Sequence, residues 1–254
     1  MSVYAAAIRF IPGRNKILLR EMTGYDEMMT DDHGSRGILQ LLKQLVVRDG
    51  ETNTELRIEK ITLSDRDWIL CSIYRNAYGP RIESSLICQL CEAPFDLGFS
   101  LDDLLAYQVD ASMDMDADER GYYQGPEDTR FRLPDGEDEQ AVIEMPVAEA
   151  ETVMVSRCIS GSGSNENVDQ VQEMMETLAP MLLNDMLATC PECGAKQLVH
   201  FDMQNFLQAK MKTERRRIAA EVHCLAYAYH WSHDEIMHLP RSLRKLYAGI
   251  VGLE

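Results

Sequence analysis

Two stretches of this chain carry thiols at a spacing that suits a metal: "CQLC" beginning at Cys88 and "CPEC" beginning at Cys190. Thiolates at i and i+3 in a tight turn can both face one tetrahedral ion, because the turn frees backbone amides to hydrogen-bond the sulfurs. One such knuckle supplies two ligands and a closed structural zinc site takes four. The spacing therefore predicts one shared site at Cys88, Cys91, Cys190 and Cys193, with two separate partial sites, or no metal at all, as the alternatives. The likeness extends past the cysteines: Ala93 and Ala195 follow the pairs, Phe99 and Phe201 lie eleven positions after the first Cys, and Leu105 and Leu207 lie seventeen after. Each copy reads as a knuckle, a strand with an inward Phe, and a helix start capped by Ser100 or Asp202.

The pairs stand 99 positions apart (190 − 91). Closing a loop of that length costs roughly 4 kcal/mol, whereas structural zinc typically contributes about 10–16 kcal/mol near neutral pH. The long insertion is tolerable. A redox Cys-x-x-Cys would be expected to open a helix after a strand, but Pro94 and Phe95 lead into strand-like sequence instead. Cys71, Cys158 and Cys224 are singletons in apolar stretches and read as small buried thiols.

The elements that must position these residues follow from the apolar spacing. "AIRFIPGRNKILLREM" predicts a hairpin turning at Pro12-Gly13. Ile38, Leu41, Leu42, Leu45 and Val46 recur at helical spacing, with a stop at Asp49-Gly50. A second helix is expected to run "DRDWILCSIYRNAY", capped by Ser64 with Asp67 three residues on, stapled by Leu63 and Trp68, and ended at Gly79-Pro80. Between Asp110 and Glu139 there are eleven acidic and three basic residues, which reads as a solvated excursion containing one short strand at "FRLPDG". "AEAETVMVSRCI" reads as a helix, "SGSGSN" as a linker, and Val168 to Leu178 as a further helix. Beyond Phe201 the chain reads as helical, with a stripe from Phe206 to Tyr229, a capping box at Ser232 and Glu235, and an amphipathic end "RSLRKLYAGIVGL". The expected fold class is α+β, mostly helical, with a small N-terminal hairpin, a two-knuckle zinc-ribbon-like β unit and a C-terminal helical segment. The expected division is 1–109, 110–165 and 166–254.

Composition narrows the function. The 254 residues are 45% hydrophobic, enough for a real core, and the formal charge of −17 makes nucleic acid a poor partner. No stretch approaches the roughly 20 apolar residues of a membrane span, and the N-terminus lacks a signal pattern, so the expected location is cytoplasmic. Asp114, Asp116 and Asp118 begin like a calcium loop, but Glu119 stands where that loop needs Gly. His223, His230, His233 and His238 read as ordinary surface histidines. No phosphate loop, nucleophile elbow or dinucleotide fingerprint occurs, so no catalytic residue is nominated and the chain reads as non-enzymatic. The basic clusters "KTERRR" and "RSLRK" leave a zinc-ribbon DNA-binding regulator as the alternative.

The segments "EMTGYDEMM", "DRDWILCSIYRNAYG", "ICQLC", "FRLPDG" with "SRCI", and "EVHCLAYAYHWSHDEIMHLPRSLRKLY", in that order, resemble the baseplate hub assembly proteins of contractile-tailed phages of the T-even type. They are similar also to the relatives of those proteins in phage-tail-like contractile injection systems. The resemblance implies a protein that assists, or joins, the hub at the centre of a contractile tail baseplate, in the cytoplasm of the producing bacterium. Its expected partners are baseplate hub or spike proteins. Fifteen Met residues suit adaptable protein contacts.

Overall fold

The computed structural model describes residues 2–29, 34–47, 56–111, 115–161 and 167–252. Helix makes up 51% and strand 22%, which puts the chain in the α+β class with helix dominant.

Alternation builds the first sheet: Ala6, Ile17 and Leu19 point inward from β1 (Val3–Ala7) and β2 (Lys16–Arg20), which pair antiparallel with Ala5 opposite Leu18. Helix α1 (Gly24–Met28) follows, then α2 (Ser35–Leu45), whose buried face is Ile38, Leu41, Leu42 and Leu45. Val46, expected in that helix, instead opens a two-residue strand β3 (Val46–Val47). Its ψ of 123° is extended and it pairs with Leu19, so the open edge of β2 captures it. The stop expected at Asp49-Gly50 lies outside the described residues.

Helix α3 (Leu63–Tyr78) is capped by Thr62, whose hydroxyl accepts from the Asp65 amide at 3.2 Å, and not by Ser64 as the sequence suggested. Ser64, Asp65, Arg66 and Asp67 are all buried, and each holds a different segment. Ser64 donates to the Pro180 carbonyl, Asp65 accepts from the Arg9 and Phe10 amides at 2.7 and 3.0 Å, Arg66 pairs with Glu139, and Asp67 accepts from the Leu182 amide at 2.9 Å. Buried polar groups of this kind persist only when partnered, so this first turn is a junction as well as a cap.

The hairpin β4 (Arg81–Ile87) and β5 (Pro94–Ser100) leads into α4 (Leu101–Ala111), whose Asp103 amide donates to Ser100 Oγ. The acidic stretch that follows departs from the solvated excursion expected of it. It forms β6 (Tyr122–Gln124), β7 (Arg130–Arg132) and α5 (Gly136–Val142), continuing into α6 (Val147–Cys158) and β8 (Ile159–Ser160). The three strands join in the order β6-β7-β8. Fully buried Phe131 anchors a second core with Tyr123, Cys158 and residues of α7 (Val168–Leu178). Cations meet the acids that lie against this fold: Arg132 and Arg157 hold the buried Asp138 carboxylate, and Arg130 pairs with Asp118. Burial would raise the Asp138 carboxyl, but those guanidiniums and the Asp135 amide hold it well below the usual carboxylate range. Most of the "SGSGSN" segment lies outside the described residues.

A second long hairpin, β9 (Leu183–Thr189) and β10 (Lys196–Asp202), passes into α8 (Met203–Tyr229), α9 (His233–Met237) and α10 (Arg241–Ile250). The capping box of Ser232 and Glu235 forms as its spacing indicates. In α10 the buried face is charged. Arg241 and Arg244, both on that face, pair with Glu27 of α1; Arg241 also pairs with Glu214 at 2.8 Å and Arg244 with Glu221 at 2.8 Å, both on α8. Arg241 lies over the Tyr78 ring at 4.4 Å. Glu21 accepts from the Ser242 amide and hydroxyl, capping α10, and the Arg241 amide donates to the Met22 carbonyl. The C-terminal helix is thereby fastened to the first thirty residues.

Candidate metal centre

The two cysteine pairs are the tips of the two long hairpins. At each tip the first Cys amide donates to the carbonyl five residues on, Cys88 to Ala93 and Cys190 to Ala195, both at 2.9 Å. A second bond returns to the first Cys carbonyl, from the amides of Glu92 and Gly194 at 3.0 Å. Those two donors occupy the same left-handed position, with φ of 59° and 72°. Glycine takes that conformation freely; Glu92 adopts it at some steric cost.

The hairpins face each other and converge on four sulfurs. Cys88 Sγ lies 3.6 Å from Cys193 Sγ and Cys91 Sγ 3.8 Å from Cys190 Sγ, and all four lie within 4.8 Å of one another. Cys88 and Cys190 are buried; Cys91 and Cys193 are open to solvent. This is a geometry able to hold a metal ion, and the one such cluster among the described residues. The Cys91 and Leu90 amides aim at Cys88 Sγ and lower its thiol to about 6. At Cys91 the Ala93 amide also pulls downward, but neighbouring sulfurs outweigh it and push the thiol up to about 12. Four sulfurs this close cannot all ionise without a cation between them.

Below the sulfurs the repeat continues as packing. Phe99 and Phe201 meet edge to face with centroids 5.1 Å apart, and Leu207 is fully buried. Asp202 caps α8 by accepting from the Asn205 amide at 3.0 Å, matching Ser100 at α4. Yet the buried apolar core shared by the two tips is small, consisting of Cys88, Phe95, Ala188 and Cys190. A cleft of about 230 Å³ remains between the inner faces, lined by Leu86, Leu97, Phe99, Met186, Val199 and Phe201 among others. A lone two-stranded hairpin is marginal in water, so packing alone holds these tips weakly and the sulfurs are placed where a tie is needed. The sequence did not announce a further tie: Gln197 accepts from the Gln89 amide at 3.0 Å and donates to the Ile87 carbonyl at 3.2 Å. A lone Gln in a strand carries no signal for such a bridge.

The other residues singled out in the sequence are occupied elsewhere. Cys71 and Cys158 are buried singly. His233 and His238 flank Tyr25, whose hydroxyl donates to Asp234. Asp118 accepts from the Arg120 and Tyr122 amides, and Asp114 lies outside the described residues. No described helix is long and apolar enough to cross a membrane. Comparison with protein-family models, with curated proteins and with solved structures finds no match to this chain.

Proposed function

We propose that the chain is a non-enzymatic assembly factor or component of the baseplate hub of a contractile tail or injection device. It is stapled by one structural zinc at Cys88, Cys91, Cys190 and Cys193 and works in the cytoplasm of the producing bacterium. The observation that carries the reading is where the resemblance motifs go in the fold. "EMTGYDEMM" and "LPRSLRKLY", at opposite ends of the chain, meet through Glu21, Glu27, Arg241 and Arg244. "FRLPDG" and "SRCI" meet through the pairing of Phe131 with Ile159 and the grip of Arg132 and Arg157 on Asp138. The motif residues serve as joinery, as a protein selected to hold a shape requires.

Zinc suits the sulfurs. With bonds of about 2.3 Å, a tetrahedral ion needs sulfur–sulfur edges of about 3.8 Å, close to the 3.6 and 3.8 Å across the tips. Four thiolates leave no open position for a substrate, so the ion's chemistry here is structural. The DNA-binding alternative loses ground because Arg241 and Arg244 of one basic cluster are buried in ion pairs. Elemental analysis of the purified chain should give one zinc, and no iron, per chain. Cys88→Ser and Cys190→Ser should each lose it and lower the melting temperature together. Co-expression with a hub protein should yield a stoichiometric complex; duplex DNA binding with a steep salt dependence would favour the regulator instead.

A further inference from the structure

The four sulfurs of the knuckle unit are not equivalent. Each hairpin buries the first cysteine of its pair, Cys88 or Cys190, and leaves the second, Cys91 or Cys193, open to solvent. Two contacts cross between the hairpins, Cys88 Sγ to Cys193 Sγ at 3.6 Å and Cys91 Sγ to Cys190 Sγ at 3.8 Å. Each joins an exposed sulfur to a buried one of the opposite hairpin, and between them they use all four. The hairpins are also held against each other by contacts that need no metal. Gln197 bridges to the Gln89 amide and the Ile87 carbonyl on either side of Cys88, and Phe99 meets Phe201.

We propose that the cluster is a reversible redox device, in which peroxide exchanges the metal for two disulfides across the hairpins, Cys88–Cys193 and Cys91–Cys190, so that the tie outlasts the ion. The starting state rests on the zinc reading above. A thiolate is oxidised where an oxidant can reach it, which confines the first attack to Cys91 and Cys193. The Cys193 sulfur attacks hydrogen peroxide, the O–O bond breaks, one proton is taken up, and a sulfenic acid and water result. The Cys88 sulfur, in contact across the tips, then displaces the sulfenic hydroxyl, which leaves as water with a second proton as the S–S bond forms. Cys91 and Cys190 repeat the sequence. In all, four thiolates pass four electrons to two peroxides, four protons come from solvent, four waters form, and the divalent ion departs unchanged. Four cysteines allow three pairings. Pairing within each knuckle would close very short loops and leave the hairpins separate, and pairing Cys91 with Cys193 would leave the buried sulfurs for a second oxidant that cannot reach them. The cross pairs close loops of 105 and 99 positions, which constrain the unfolded chain far more.

The test exposes the full chain, purified with its metal under a thiol reductant that is then removed, to hydrogen peroxide. A chromogenic chelator follows metal release, and peptide mapping without reduction locates the disulfides. The expected result is one metal ion released for every two disulfides, both crossing the hairpins. The oxidised, metal-free chain should melt about 10 °C or more above the metal-free chain kept reduced, and reductant with added zinc should restore the metal. In Cys193→Ser the Cys91–Cys190 bond should still form while Cys88 stays a thiol. Disulfides within the knuckles, a Cys91–Cys193 bond, or sulfinic acids that reductant does not restore would each overturn the proposal. Absence of metal before oxidation would sink the zinc reading and the exchange with it; metal present with other pairs would sink the exchange alone.

Discussion

Two regions of this molecule fasten distant parts of the chain by opposite means. The knuckle unit joins residues 81–100 to 183–202 through four sulfurs and little packing. The ion cluster joins residues 21–27 to 214–244 through guanidinium–carboxylate pairs removed from water. The first uses an external ion to offset the charge it concentrates, whereas the second balances charge from within. One should therefore respond to chelation and the other to mutation of a single partner.

Outside the metal site, the largest effect expected is at the ion cluster. Glu27→Gln keeps the shape but leaves Arg241 and Arg244 without their shared carboxylate, in a site where Arg244 Nη1 already lacks a hydrogen-bond partner. Removing one partner of a buried pair costs about 3–5 kcal/mol. Urea titration should show that loss with zinc content unchanged; a loss under about 1 kcal/mol would mean that the cluster is not the tie described.

Next comes the junction at the start of α3, where burial pushes Asp67 up to about 6 from an ordinary value of 3.8. A raised carboxyl favours the folded state while protonated, so its contribution is complete below about pH 4 and is lost as pH rises through about 6. Asp67→Asn should therefore stabilise the protein by at most about 3 kcal/mol at pH 8 and little at pH 4. Equal effects at both pH values would assign the change to packing.

The smallest is at Gln197, the tie between knuckles that involves no sulfur. Gln197→Ala should cost about 1 kcal/mol with metal bound, the net worth of a hydrogen-bond pair of this kind. It should matter more after chelation, when the sulfurs no longer hold the tips. Hydrogen exchange at the Gln89 amide, before and after chelation, measures the difference.

The same comparison explains what the sequence disclosed. Thiols at i and i+3 have few uses, and two copies with matched Phe and cap positions left little choice of geometry, so the four-sulfur cluster was legible before any fold was known. The helices were legible where apolar residues recur, as in α2, α7 and α8. Arg241, Arg244 and Glu27 were not, because charged residues in an amphipathic pattern read as a solvated face and Glu27 lies more than 200 positions from both arginines. The acidic stretch misled for a related reason: composition records the charge of Asp118 and Asp138 but not the arginines that fold back to meet them. Ser64 and Thr62 are both cap residues by type, and only the backbone at Thr62 decides between them.

The fastening of α10 to Glu21 and Glu27 also sets an order in time. During synthesis the first cysteine pair waits for 99 further residues before its partner pair begins to appear, about 5–20 s at ordinary elongation rates. Glu27 waits longer, until α10 has cleared the ribosome. Until Arg241 and Arg244 arrive, the buried Glu27 carboxylate has neither of its guanidinium partners, so α1 cannot take its final packing before α10 does.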